Sequence, residues 1–170
     1  MAIREIRKYP DEILRKKTEP VEDYGDELQQ LIDDMVETMY AAPGVGLAAN
    51  QVGVSKQLTI IDVSVGSEET SLIVLCNPEI IEHEGEEANE EGCLSIPDYT
   101  TMVKRFEKVK VKALDRNGKE VEIEADGLLA RALQHEIDHL NGLLFVDRIG
   151  RIKKEFFKKR YKREQALSSS

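Results

Sequence analysis

The densest chemistry in the chain lies in His135-Glu136-Ile137-Asp138-His139. Histidines at i and i+4 share one face of a helix, about 5–6 Å apart at Cβ, so both imidazoles can reach one metal ion. Glu136 is rotated about 100° from His135 around such a helix, close to the ion without having to ligate it. A general base for a water in the ion's open coordination position belongs there. The bland alternative is a solvated helix face that happens to carry these residues. Against it, the chain has only three histidines, and two fall at this spacing.

Two histidines make a loose site, so a third ligand is needed. A metalloprotease would extend the motif as H-E-x-x-H-x-x-G-x-x-H; Gly142 fits, but the last position is Phe145, which cannot ligate. Past His139 only Asp147, Glu155 and Glu164 remain as acids, the last two in a basic tail. Cys93 answers better. It sits in Glu91-Gly92-Cys93-Leu94-Ser95-Ile96-Pro97, and a metal would deprotonate it outright. A Cys-His-His set leaves the fourth position open, as a catalytic site requires; a structural site would need a fourth ligand, and His83 is the only spare histidine. A free cysteine is more often a small buried hydrophobe, and Cys76, inside an apolar run, fits that reading.

These groups have to be positioned by something. Leu28, Leu31, Ile32, Met35 and Met39 recur at helical spacing over 26–42, and Pro43-Gly44 ends the run. The glycine-punctuated loop Gly44–Gly53 follows; it lacks the Lys-Ser/Thr of a phosphate-binding loop. Short apolar runs at 57–63 and 71–76 read as strands, and the acidic stretch 83–91 as a solvated loop or turn. Strict alternation over 108–113 and 121–125, around Asp115-Arg116-Asn117-Gly118, predicts a hairpin with one wet face. Asp126 as N-cap and Gly142 past the C-terminus bound the metal-binding helix, with Leu129, Leu133, Ile137 and Leu140 inward and Arg131, Asp138 and Asn141 outward. Residues 149–167 form a basic helix carrying Ile152, Phe156, Phe157 and Tyr161. The class is therefore α+β: mostly antiparallel strands in small sheets around the metal-binding helix, with helices at both ends.

Composition narrows the function classes. At 170 residues, 41% hydrophobic and 34% charged, this is one globular domain with no run long enough to span a bilayer. Charges in MAIREIRKYPDE stand where a secretion signal would have its apolar run, so a cytoplasmic protein is expected. The net charge of −9 is a misleading average. Residues 148–170 carry nine basic and two acidic side chains, a net of +7, and residues 1–147 carry −16. The chain reads as a catalytic domain over 1–147 and a basic tail over 148–170 whose partners would be anionic.

Three segments occur in order: Gly44-Val45-Gly46-Leu47-Ala48-Ala49-Asn50-Gln51, Glu91-Gly92-Cys93-Leu94-Ser95 and Gln134-His135-Glu136-Ile137-Asp138-His139. Together they resemble the signature motifs of the peptide deformylase family, in its bacterial form with a C-terminal helix. The resemblance implies removal of the formyl group from N-formylmethionyl peptides of new proteins, with formate released. It implies Cys93, His135 and His139 as ligands of a divalent ion, typically Fe2+ and replaceable by Zn2+, Ni2+ or Co2+. Glu136 would carry the proton, while Gln51 and the Leu94 backbone N–H would hold the formyl oxygen. Val45 and Gly46 would pair with the substrate backbone, and Val45, Leu128, Arg131, Ala132 and His135 would line the methionine pocket. It also implies an Asp138–Arg105 ion pair, and a tail able to dock on the ribosome rather than on a membrane. A zinc metalloprotease of the HExxH type is the alternative. This chain departs from many relatives at Asp98-Tyr99-Thr100, where they have an arginine.

Overall fold

The structure, a computed structural model, describes residues 2–64 and 72–168. Helix α1 (Asp26–Ala41) forms where the apolar spacing predicts it, and Leu28, Leu31, Ile32, Met35 and Met39 are all buried. Strands β1 (Gly46–Ala48), β2 (Leu58–Ile61), β3 (Ile73–Glu84), β4 (Glu87–Cys93), β5 (Ile96–Arg105), β6 (Lys108–Leu114) and β7 (Glu120–Asp126) follow. Helix α2 (Gly127–Leu140) comes next, and α3 (Arg151–Ser168) closes the chain. β1-β2-β3-β6-β7 form a five-stranded antiparallel sheet, and β4 and β5 form a separate antiparallel pair. The α+β expectation holds. Of the run 71–76, Ser71 lies outside the described residues.

Three apolar clusters hold these layers. The first joins α1 to β1 and β2, and the second lays α2 over β2, β3, β6 and β7 through Leu133 and Ile137. In β6, Val109, Val111 and Ala113 point inward, while Lys110 and Lys112 face glutamates of β7 on the wet side. Cys76 is fully buried in the first cluster, and burial pushes its thiol up to about 11, as suits an inert core cysteine. The third cluster gathers Leu14, Ile96, Phe145 and, from α3, Phe157, which is 2% exposed. Burying a phenylalanine this fully is worth about 1.5–3 kcal/mol, so α3 is anchored by its apolar face. Only part of that face is used: Phe157 and Tyr161 pack on Tyr9, whereas Ile152 and Phe156 are 74% and 69% exposed. Among the described residues, no helix is long and apolar enough to cross a membrane.

Two expectations fail. Residues 83–91 are largely exposed, as expected, but most are strand rather than loop: β3 runs to Glu84, β4 starts at Glu87, and only Gly85 and Glu86 lie between. Composition misleads here because the acids have basic partners from elsewhere, Glu87 on Arg131 and Glu91 on Arg105. Asp138 does not face water. It is 7% exposed, clamped between Arg105 and Arg148.

The ends of α2 matter most for the site. Asp126 occupies the N-cap position, but its side chain makes no capping bond. At the other end Gly142 has φ +79°, and a Cβ there would lie 2.5 Å from the Arg15 carbonyl oxygen. Only glycine fits such a close approach in the left-handed region, so the helix stops just past His139.

Candidate metal centre

Three donors converge on one point. The end of β4 brings Cys93, and α2 brings His135 and His139 from one face. Cys93 Sγ lies 3.2 Å from His139 Nε2, which lies 3.2 Å from His135 Nε2. All three donor atoms fall within 4.8 Å of one another, and no other such group is found among the described residues. A soft thiolate with two imidazoles is a donor set for a divalent transition metal, so the residues fit the ion that the motif implies. Burial, with the charges of His135 and Arg105, lowers the pKa of His139 well below its usual value.

A second layer orients these donors. His135 Nδ1 donates to Glu91 Oε1 at 3.0 Å, which turns Nε2 toward the cluster. Arg105 grips the same carboxylate through Nε and Nη2, both at 2.9 Å, and reaches Asp138 through Nη1. Arg148 closes the far side of Asp138 at 3.0 and 2.7 Å. Burial alone would raise the Glu91 pKa, but hydrogen bonds from Arg105 and His135 outweigh it and hold the carboxyl down to about 2. The Asp138–Arg105 pair is present as the motif implies. Glu91 and Arg148 carry no role in the sequence reading. The one signal Glu91 left was its place two residues before Cys93 in the same motif. Asn50 was likewise unassigned; it is fully buried, and its Nδ2 donates to the His139 carbonyl at 2.6 Å.

Glu136 is 4% exposed, and Oε1 has no hydrogen-bond partner among the described residues. Burial pushes its pKa up to about 7, against the opposing charges of His135 and Arg105. A carboxyl poised there can take or give a proton near neutrality. Gly46 lies directly over it: a Cβ at Gly46 would sit 2.6 Å from Glu136 Oε2.

Gln51 belongs to the 3-10 turn Ala49–Val52 after β1. The Ala48 N–H donates to Gln51 Oε1 at 2.9 Å, which aims Nε2 at Ser95 Oγ (3.1 Å) and Cys93 Sγ (3.6 Å). A cavity of about 450 Å³ opens above, walled by Val45, Gly46, Gln51, Leu94, His135 and Glu136. Cys93, Leu128, Arg131 and Ala132 also line it, so of the residues named from the sequence only His139 lies behind the wall. Leu128 is 46% exposed at the rim rather than core, and Arg131 is held by Glu87 at 3.0 Å. A somewhat larger cavity of about 530 Å³ between β3, β6, β7 and α2 brings together Glu82, Lys108, Lys110 and Glu124, without a metal-capable cluster among the described residues.

Comparison with known proteins agrees with this geometry. The family model described as polypeptide deformylase matches residues 3–155. A peptide deformylase of Thermodesulfovibrio yellowstonii is 61% identical over 162 residues, 95% of this chain and 98% of that protein. A peptide deformylase structure from Legionella pneumophila aligns at TM-score 0.88 and 53% identity, covering 97% of this chain and 98% of that one. One from Thermus thermophilus aligns at TM-score 0.89 and 40% identity, covering 97% and 96%. The metalloprotease alternative is not favoured: Phe145, at the position of its third histidine, is buried and stacks on His135 with centroids 6.1 Å apart. A thiolate within reach of two histidines, a buried glutamate beside them and relatives matched over nearly the whole chain lead to one assignment: the chain belongs to the polypeptide deformylase family, hydrolases that remove the N-formyl group from formylmethionyl peptides.

Proposed function

We propose that Cys93, His135 and His139 are the ligands of one divalent ion in this chain, that Glu136 is its proton carrier, and that the ion is Fe2+, exchangeable with Zn2+, Ni2+ or Co2+. The observation that carries the reading is the meeting of Sγ and two Nε2 atoms within 4.8 Å beside a buried, poised carboxylate. When bound, such an ion supplies Lewis-acid activation of water and of the formyl oxygen. Glu136 takes the proton of the attacking water as oxygen bonds to the formyl carbon. It then passes that proton to the amine as the C–N bond breaks, leaving formate and a free N-terminus. Gln51 Nε2 and the Leu94 N–H donate to the formyl oxygen as its charge grows. Glu91 and Arg105 keep His135 from rotating.

The substrate peptide adds as a strand to the open edge of β1 at Val45 and Gly46. Its methionine side chain enters between Leu128, Arg131 and Ala132. Formate release from a formyl-Met tripeptide by the iron-loaded protein tests the reading, and no release above the metal-free protein would sink it. Gly46→Ala should fold and lower kcat by roughly 100-fold, because the added methyl displaces Glu136 by a large fraction of an ångström. Wild-type kcat in that variant would mean that the Glu136 position is not critical.

We further propose a division into a catalytic domain, 1–147, and a basic tail, 148–170, that docks on the ribosome in the cytoplasm, where formylated chains emerge. Exposed Ile152 and Phe156 amid lysines suit a partner that is both anionic and protein-bearing, and the acidic body argues against a membrane. Deleting the tail would remove Phe157 from the core, so charge is the cleaner handle. Lys153→Gln, Lys159→Gln and Lys162→Gln together should keep deformylation intact and lower ribosome co-sedimentation at low salt. The salt dependence should flatten by about one log unit per lost phosphate contact. Unchanged co-sedimentation would refute docking through this helix.

A further inference from the structure

The two donors to the formyl oxygen come from segments that three strands separate, and something must set the distance between them. Three consecutive residues near the N-terminus touch both. Arg7 N–H donates to the Gln51 carbonyl at 2.6 Å, Tyr9 N–H donates to the Ser95 carbonyl at 2.8 Å, and Lys8 Nζ donates to the Leu94 carbonyl at 3.0 Å. The Arg7 guanidinium also lies against Gly53, which ends the turn carrying Gln51 with φ +82°; a Cβ there would sit 3.0 Å from Arg7 Nε.

The arm is fastened on both sides of these contacts. Upstream, Ala2 N–H bonds Asp34 at 2.8 Å, Arg4 N–H bonds Thr38 at 2.9 Å, and the Arg4 side chain pairs with Asp34, all on α1. Downstream, the Tyr161 hydroxyl donates to the Tyr9 carbonyl at 2.6 Å, and the Tyr9 ring packs on Phe157 of α3. The arm is thus a short tie between fixed points, crossing both of the oxygen-holding segments on its way.

We propose that Arg7, Lys8 and Tyr9 form a clasp that positions the two oxyanion donors for deformylation. The proposal rests on the reading of Gln51 and Leu94 as those donors. Donors act only when held at hydrogen-bond distance from the developing oxyanion, and loss of one costs about 100- to 1,000-fold in kcat. Loosening the clasp costs less than that, and the effect falls on the transition state rather than on the substrate, since the bonds of the clasp go to neither β1 nor the methionine pocket.

The test is steady-state formate release, with KM, metal content and melting temperature measured on each variant. Arg7→Pro, which removes the N–H, should lower kcat about 10-fold with KM and metal unchanged. Lys8→Met, which keeps the stem and drops the donor, should lower it about 3-fold, and Lys8→Arg should restore it. Arg4→Ala, which removes the side-chain pair with Asp34 but keeps the Ala2 and Arg4 backbone bonds that fasten the arm to α1, should lower the melting temperature and leave kcat as it was. If Arg7→Pro does not fold, the comparison of Lys8→Met with Lys8→Arg decides. Wild-type kcat in the Lys8→Met and Arg7→Pro variants, a loss confined to KM, or a kcat loss equal to that of Arg4→Ala overturns the clasp. Gln51→Leu in the same assay separates the two levels. A wild-type kcat there overturns the donor reading itself, whereas a large loss beside unaffected clasp variants overturns the clasp alone.

Discussion

Glu136→Gln should give a folded protein that loads metal normally and releases formate roughly 1,000-fold more slowly than the wild type. Glutamine keeps the volume of a side chain that is 4% exposed under Gly46, so packing is preserved. What it cannot do is accept a proton. The wild-type carboxyl is suited to that task because burial raises it to about 7, and a group near neutrality both takes the proton and returns it. The measurement is kcat with metal stoichiometry by elemental analysis on the same sample. Activity within about tenfold of wild type, with metal bound, would remove Glu136 from the proton path.

Cys93→Ala should abolish metal retention outright. After dialysis, elemental analysis should find near zero ion per chain where the wild type keeps one, and formate release should vanish with it. The contrast with Glu91→Gln makes this specific. Glu91 only orients His135, so its loss should weaken binding about 10- to 100-fold and leave a site that loads in excess metal. Losing the thiolate leaves two neutral imidazoles and no negative charge among the donors, which excess metal does not repair. A Cys93→Ala protein that still held one ion after dialysis would overturn the ligand set.

What was legible in the sequence is what local spacing encodes. Leu28 through Met39 gave α1, the alternation of 108–125 gave the β6–β7 hairpin, and His135 with His139 gave the metal-binding face of α2. Most of the cavity wall and His139 could be named because three motifs spell them out. What stayed hidden depends on partners distant in the chain. The acidity of 83–91 read as a loop because nothing local reveals that Arg105 and Arg131 neutralise Glu91 and Glu87 on a strand. Asp138 read as wet for the same reason, its two arginines arriving from β5 and from the turn before α3. The backbone contacts of Arg7 and Tyr9 leave no trace in side-chain type at all.

The shortness of β1 has a consequence of its own. It is a sheet edge of only three residues, Gly46–Ala48, and an unpaired edge is an invitation to any extended chain, including another copy of this protein. Three residues offer too few main-chain bonds to hold a folded neighbour, yet enough to steady the first residues of a flexible peptide for one turnover. Recognition through backbone atoms is also blind to the side chains that come after the methionine. With the substrate paired there as proposed, an enzyme that serves many newly made chains gains from that blindness: it accepts diverse sequences and lets each one go quickly.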